Sequence, residues 1–429
     1  MRGEKWSMQT VDVVGEASAA RVGFLGRREW TVLAVTLLFW LFDGYETYTL
    51  LLTARPALHE LLPASQLQAV PRYTAYLISL TLLGWATGGI LGGILGDKLG
   101  RRRTMIVSVL IYAVFTGLSA LSSTWLMLGV TRVLTGIGIG AEWGVGTSLL
   151  QETWPQHART KGAGLLQAGF SLGALVASGL WIIVGANLGL SWRWMYGVGI
   201  LPAIVAALLV RVIPESTRWT RAARGAIRPS EVLRGPRRGI LLLSILVSIS
   251  ITVGWWAISS WVPSYTAALA TTAKSAAYFS GMAGILYNVG EIAGCIVFGF
   301  MADALGRRVT TVAYFIGSLI ITPIIFLLVH NVTAVVLLQV VNGYLTGGLY
   351  SWYAIHPPEL FPTAIRATAV SLIFNSARYL AMIGPIVASV LITFFKGYGV
   401  AATAFAVVYI LGIIAVMMLP ETKGRPLPE

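Results

Sequence analysis

Hydrophobic residues in this chain run in long blocks rather than alternating or forming a narrow stripe. Each block is close to the ~20 residues that a helix needs to cross a bilayer. The blocks fall at 30–52, 73–95, 104–122, 125–149, 161–185, 193–213, 239–262, 278–301, 309–329, 332–355, 367–394 and 400–419. Polar stretches divide the chain into a tail (1–29), a first half (30–213), a linker (214–238), a second half (239–420) and a short C-terminal tail (421–429). The pattern predicts an all-α membrane protein with twelve transmembrane helices in two six-helix halves. Residues 1–29 have no apolar run before a small-residue cleavage site, so they read as a cytoplasmic tail.

The polar islands repeat. Gly96-Asp97-Lys98-Leu99-Gly100-Arg101-Arg102-Arg103 returns as Ala302-Asp303-Ala304-Leu305-Gly306-Arg307-Arg308, 206 residues on. Glu152, Pro155 and Arg159 recur as Glu359, Pro362 and Arg366, each 207 on. Pro214-Glu215-Ser216 recurs as Pro420-Glu421-Thr422, 206 on. One order at one spacing marks two equivalent halves. Six helices per repeat give both halves the same orientation, about an axis along the membrane normal.

Composition sharpens this. The chain is 56% hydrophobic and 11% charged, with a mean hydropathy of +0.76, too apolar for a soluble fold of this length. The net charge of +14 comes from uneven placement. Of the 31 Lys and Arg residues, 23 fall on the side that holds both termini and five on the other. That is the positive-inside asymmetry, so both termini read as cytoplasmic and the basic loops as partners of anionic lipid. No nucleic-acid partner is needed to explain the charge. Cys295 is the one cysteine, which excludes an intramolecular disulfide.

Ionisable residues inside a membrane are costly and so are functional candidates. Six stand within the blocks: Asp43, Glu46, Arg132, Glu142, Glu291 and Arg378. Asp43 lies ~20 Å into the first helix at 1.5 Å per residue, with Glu46 one turn on. Burial and a like-charged neighbour both favour the protonated acid. Asp43 therefore reads as a proton site or as half of an ion pair joining two helices. Glu46 and Glu291 are further proton-site candidates, and Arg132 is placed to help couple protons. Arg378 carries a permanent charge near mid-membrane and must meet an anion, either a fixed carboxylate or the substrate. Ser371, Asn375 and Arg378 share a helix face, and other helices carry similar polar stripes. These give Tyr45, Gln167, Tyr287, Asn288, Trp256, Asn342, Tyr350 and Tyr353 as candidate substrate contacts, with Ser259 on the helix 7 stripe. The repeated acid–base set reads as a cytoplasmic gate of ion pairs between the halves: Asp97, Arg101, Arg102, Glu142, Glu152 and Arg159 against Asp303, Arg307, Glu359 and Arg366. No Walker-type phosphate loop, metal cluster or nucleophile elbow stands in the sequence, and neither an enzyme nor a bound cofactor or metal is expected.

At these residues the chain resembles the major facilitator superfamily. The 96–103 loop is similar to its signature between helices 2 and 3. Arg132-x-x-x-Gly136-x-Gly138-x-Gly140 is similar to its helix 4 motif, and the Pro214 and Pro420 stretches to the ends of helices 6 and 12 in the sugar-porter-like branch. Asp43-Gly44-Tyr45-Glu46, Asn375-x-x-Arg378 with Gly384-Pro385, and Gly140-Ala141-Glu142-Trp143-Gly144 resemble proton-coupled symporters of organic acids of the sialate, lactate and aromatic-acid type. The resemblance implies a monomeric alternating-access importer in a bacterial inner membrane, with the proton as coupling ion and a carboxylate as substrate. A transporter of a neutral sugar or polyol and a drug exporter are the alternatives.

Overall fold

The computed structural model describes residues 25–209, 212–221, 231–257, 262–269, 273–383, 394–395 and 398–429. The tail 1–24, linker residues 222–230, Ser259 and Gly384-Pro385 lie outside them. Among the described residues the fold is carried chiefly by α1 (Arg27–Leu61), α2 (Val70–Leu99), α3 (Arg101–Ser119), α4 (Trp125–Thr153), α5 (Arg159–Trp181) and α6 (Leu201–Leu209), then α7 (Arg238–Ala257), α8 (Ala273–Leu305), α9 (Arg307–Pro323), α10 (Val332–Leu360), α11 (Arg366–Ala381) and α12 (Val408–Met418). Among the described residues, nine helices are long and apolar enough to cross a bilayer. α1 is not one of the nine, because Asp43 and Glu46 lower its apolar average.

Duplication is visible at atomic scale. α2 passes into α3 through Gly100 at φ +103°, and α8 passes into α9 through Gly306 at φ +100°. Only glycine takes such a turn without strain. Behind each turn a carboxylate caps the new helix. Glu215 accepts from the backbone N–H of Arg101 (3.0 Å) and Arg102 (3.3 Å). Glu421 accepts from Arg307 and Arg308, both at 3.0 Å. Negative charge at a helix N-terminus is stabilising. Partial burial pushes the Glu421 carboxyl up, but the backbone N–H donors of Arg308, Arg307, Lys423 and Thr422 outweigh it and hold the group below the usual carboxylate range. Thr124 and Asn331, 207 apart, cap α4 and α10 through their side chains.

Within each half, helices close on small residues, since lipid gives no hydrophobic drive for them to associate. Gly84 and Gly88 of α2 lie on the backbone of Val133 and Ile137, and Gly136 and Gly140 of α4 return the contact at Thr81 and Trp85. In the second half, Gly290 and Gly294 of α8 lie on Val340 and Tyr344, and Gly343 lies on Tyr287. Two seams join the halves. Gly164 of α5 faces Cys295 and Gly299 of α8, while Gly89 and Gly93 of α2 face Asn375 and Ser371 of α11.

The close packing predicts a contrast between two glycines. A side chain at Gly88 would run into the Ile137 backbone, whereas Gly281 of α8 has open space. Gly88→Val should lose ~1–3 kcal/mol through overpacking, seen as a lower melting temperature and a smaller monodisperse fraction in detergent. Gly281→Val should behave as wild type. Equal melting curves would refute the packing account.

Candidate functional site

The halves enclose a cavity of about 510 Å³ of atom-free space, partly open to solvent. α1 contributes Trp40, Thr47, Tyr48 and Leu51, which share one face of the helix. Trp85 of α2 with Gln167 and Phe170 of α5 completes the first half's wall. The second half supplies Trp255 and Trp256 from α7, Glu291 from α8, Tyr350 from α10, and Phe374 and Arg378 from α11. Towards the basic face an aromatic floor closes the cavity. Trp143 of α4 stacks on Phe374 at 3.7 Å between ring centroids, with Tyr353 edge-on to Phe374 at 4.8 Å.

Arg378 is 6% exposed and lies between rings, 3.7 Å from the Phe374 centroid and 4.5 Å from that of Trp85. It donates one hydrogen bond, to the Phe374 carbonyl at 2.7 Å. No carboxylate pairs with it among the described residues. Cation–π contact steadies a guanidinium but leaves its remaining N–H donors open to an anion.

The first-half carboxylates sit behind this wall in two separate pairs. Glu46 lies 3.6 Å from Arg132 and accepts from Thr116 at 2.8 Å. Arg132 also donates to Ser119 (2.6 Å) and Thr135 (2.9 Å), so this pair is well satisfied. Asp43 instead meets Glu142 across α1 and α4. Both Asp43 oxygens and Glu142 Oε2 are buried with no hydrogen-bond donor among the described residues. Two carboxyl groups can bond each other only through a shared proton. Expected in the gate set, Glu142 is therefore placed elsewhere: the turn of α4 aims it at Asp43 rather than at the helix ends.

Those ends hold the cross-half ion pairs. Arg101 chelates Glu152 (3.2 and 2.9 Å) and also donates to the carbonyl of Thr363 across the seam. Arg366 of the second half reaches the same Glu152 at 2.8 Å. Arg307 chelates Glu359 (2.8 and 2.7 Å), which Arg159 of the first half joins at 3.1 Å. Asp97 pairs with Arg101 and accepts from the backbone N–H groups of Ala367 and Thr368, capping α11 from the opposite half. Its repeat Asp303 departs from this role, pairing with Lys161 at 3.0 Å in a half-exposed position. Arg102 enters through its backbone N–H on Glu215. The C-terminal tail crosses the set: Arg159 donates to the carbonyl of Arg425 and Arg366 to that of Pro428, with Leu427 buried between.

Of the expected substrate contacts, Arg378, Gln167, Trp256 and Tyr350 line the cavity, as does Glu291. The others lie away from its lining. Tyr45 points to the Met195 carbonyl (2.8 Å) and Asn375 to that of Ser371 at the α2 seam. Asn342 bonds Gln339, Tyr287 bonds Thr346, and Tyr353 bonds Ser248 and Thr252. Asn288 stands one shell out, donating to the Tyr48 hydroxyl across the halves at 3.3 Å. Trp40, Trp85, Phe170 and Phe374 were not anticipated. On an apolar span an aromatic residue has no polarity to set it apart. The spacing of Trp40, Thr47, Tyr48 and Leu51 was the one signal present.

A family model described as the Major Facilitator Superfamily matches residues 31–290 and 279–429. A cis,cis-muconate transport protein of Acinetobacter baylyi is 30% identical over 368 residues, covering 81% of this chain and 85% of its own. The sialic acid transporter NanX of Escherichia coli is 27% identical over 351 residues, covering 80% and 84%. The niacin transporter NiaP of A. baylyi is 24% identical over 445 residues, covering 94% and 96%. Among solved structures, the proton:xylose symporter XylE bound to 6-bromo-6-deoxy-D-glucose superposes with a TM-score of 0.77, covering 93% of this chain and 98% of its own. At 19% identity that likeness speaks for the fold.

The cross-half set predicts a change in accessibility. Glu152→Gln removes the anion shared by Arg101 and Arg366, and breaking a buried pair in this way costs ~3–5 kcal/mol. A reporter cysteine at the buried Thr147, with Cys295 replaced, should then react several-fold faster with an impermeant maleimide from the basic face. Glu60→Gln, which breaks an exposed pair with Arg193 on the opposite face, should not change that rate. Unchanged labelling in Glu152→Gln would reduce the ion pairs to static anchors.

Proposed function

The chain belongs to the Major Facilitator Superfamily, and on that premise we propose that it carries an organic-acid anion together with protons by secondary active transport. It is an integral membrane transporter and not an enzyme. The observation that carries the anion reading is Arg378, buried, lining the cavity between the halves, and without a carboxylate partner among the described residues. A permanent cation in that setting leaves its best ligand to come from outside the protein. Muconate, sialic acid and niacin, in the names of the relatives, are organic acids, which supports the same reading.

In the proposed cycle the basic face is closed, as drawn by the ion pairs at Glu152 and Glu359. Asp43 and Glu142 repel each other when both are ionised, so a proton arriving from the opposite face relaxes α1 against α4. The substrate carboxylate binds Arg378, removing the unpaired charge from the cavity. With both charges met, the halves rock about the α5–α8 and α2–α11 seams, the cross-half pairs part, and substrate and proton leave on the basic side. The neutral-sugar and drug-export alternatives leave Arg378 unmatched. A cationic drug would be repelled by it.

Coupling is tested at Asp43. Asp43→Asn should abolish uptake driven by a pH gradient in proteoliposomes while substrate counterflow, which moves no net proton, survives. Gradient-driven uptake at the wild-type rate would remove Asp43 from the mechanism.

Substrate class is tested at Arg378. Arg378→Lys keeps the charge but loses the planar fork, so carboxylate affinity should drop sharply in a protein that stays folded. Arg378→Ala should lose ~2–5 kcal/mol of binding, as for other buried charged hydrogen bonds. Calorimetry that finds near-wild-type carboxylate binding in Arg378→Ala would defeat the anion reading.

A further inference from the structure

Two ionisable side chains of opposite type line the cavity without meeting. Arg378 is 6% exposed and Glu291 is 5% exposed, and no ion pair joins them to each other or to any other described group. The internal repeat explains their separation. Glu291 of α8 is the counterpart of Trp85 in α2, 206 residues earlier, and Arg378 of α11 is the counterpart of Ser171 in α5, 207 earlier. Each charge sits at a different seam and meets the first half's neutral residue there: Arg378 lies over Trp85, and Glu291 lies beside Ser171. The pseudo-twofold axis runs between the seams, so the two charges occupy opposite walls.

Glu291 is held in place by backbone. α10 makes a π-helical turn at Gly343–Gly347, and any side chain at Gly347 would collide with the Glu291 side chain. Such turns often mark functional positions in a helix. Between the two charges, eight of the thirteen lining residues are aromatic. Ring faces favour a flat guest and offer few partners to the many hydroxyls of a sugar.

We infer that the cavity takes a flat, conjugated carboxylic acid bearing a hydrogen-bond donor away from its carboxylate, with the carboxylate on Arg378 and the donor on Glu291. The donor is a hydroxyl, an amino group or a protonated ring nitrogen. This rests on the carboxylate reading above and adds the second contact. A buried carboxylate left facing an apolar group is penalised, so a site built around one rejects analogues that lack the donor.

The test uses purified full-length protein and calorimetry with benzoate, 3- and 4-hydroxybenzoate, and the two matching methoxybenzoates. At least one hydroxy acid should bind roughly tenfold or more tighter than benzoate and than its own methyl ether, the range for a hydrogen bond to a charged group. Glu291→Met, which keeps length and removes the acceptor, should bring that ratio to about one. Hydroxy acid and methyl ether binding alike in wild type, or a ratio that survives in Glu291→Met, overturns the assignment. Should Glu291→Met fail to fold, the methyl-ether comparison in wild type decides alone. If none of these acids binds wild type while sialic acid, a carboxylate that is not flat, does, this inference fails and the carboxylate reading stands; if neither kind binds, both fail; equal binding of all the benzoates removes only the donor.

Discussion

A charge carried into a membrane interior must meet its opposite, and most of this structure follows from that demand. The helix ends satisfy it with fixed partners: Glu152 is held by Arg101 and Arg366, Glu359 by Arg307 and Arg159. Because each carboxylate is shared between halves, the bonds that neutralise it also tie the two halves together. At mid-membrane the demand is met in three ways. Glu46 and Arg132 cancel each other, Asp43 and Glu142 face each other with room for a proton, and Arg378 rests on aromatic rings. Among the described residues the last two leave something for a proton or a solute to supply, and so does Glu291 in the cavity wall.

The scaffold was legible in the sequence because its signals are periodic and duplicated. Block length predicted the helices, and the 206-residue spacing predicted two like-built halves. The same spacing contained the caps at Glu215 and Glu421, but the motif alone does not say that a carboxylate 115 residues along the chain folds back onto the turn at Gly100. At the site, charge was legible and shape was not. Arg378, Glu291, Gln167 and Tyr350 line the cavity because a polar residue on an apolar span has few other places to go. Tyr45, Asn342 and Tyr353 were indistinguishable from them by spacing, yet each finds a partner within or beside its own half. Glu142 was misplaced because depth along a helix does not reveal which neighbour the side chain faces.

The halves share a backbone plan but not a chemistry. The position of Arg132 in α4 holds Gln339 in α10, and that of Glu142 holds Leu349. The facing acids Asp43 and Glu142 thus belong to the first half, and Arg378, without a carboxylate partner among the described residues, to the second. Asp97 and Asp303 show the same divergence at the surface, one capping a helix of the other half, the other pairing with a half-exposed lysine. A duplicated frame supplies two like-built halves, and unequal side chains give each half its own chemistry.

The C-terminal tail has a practical consequence. Residues 425–428 lie across both halves, their carbonyls held by Arg159 and Arg366, the same arginines that neutralise Glu359 and Glu152. A fluorescent protein or affinity handle fused behind them would load the arginines that make the cross-half pairs. A label on an internal loop leaves those contacts untouched, so the choice of attachment site decides whether the tail keeps its place across the two halves.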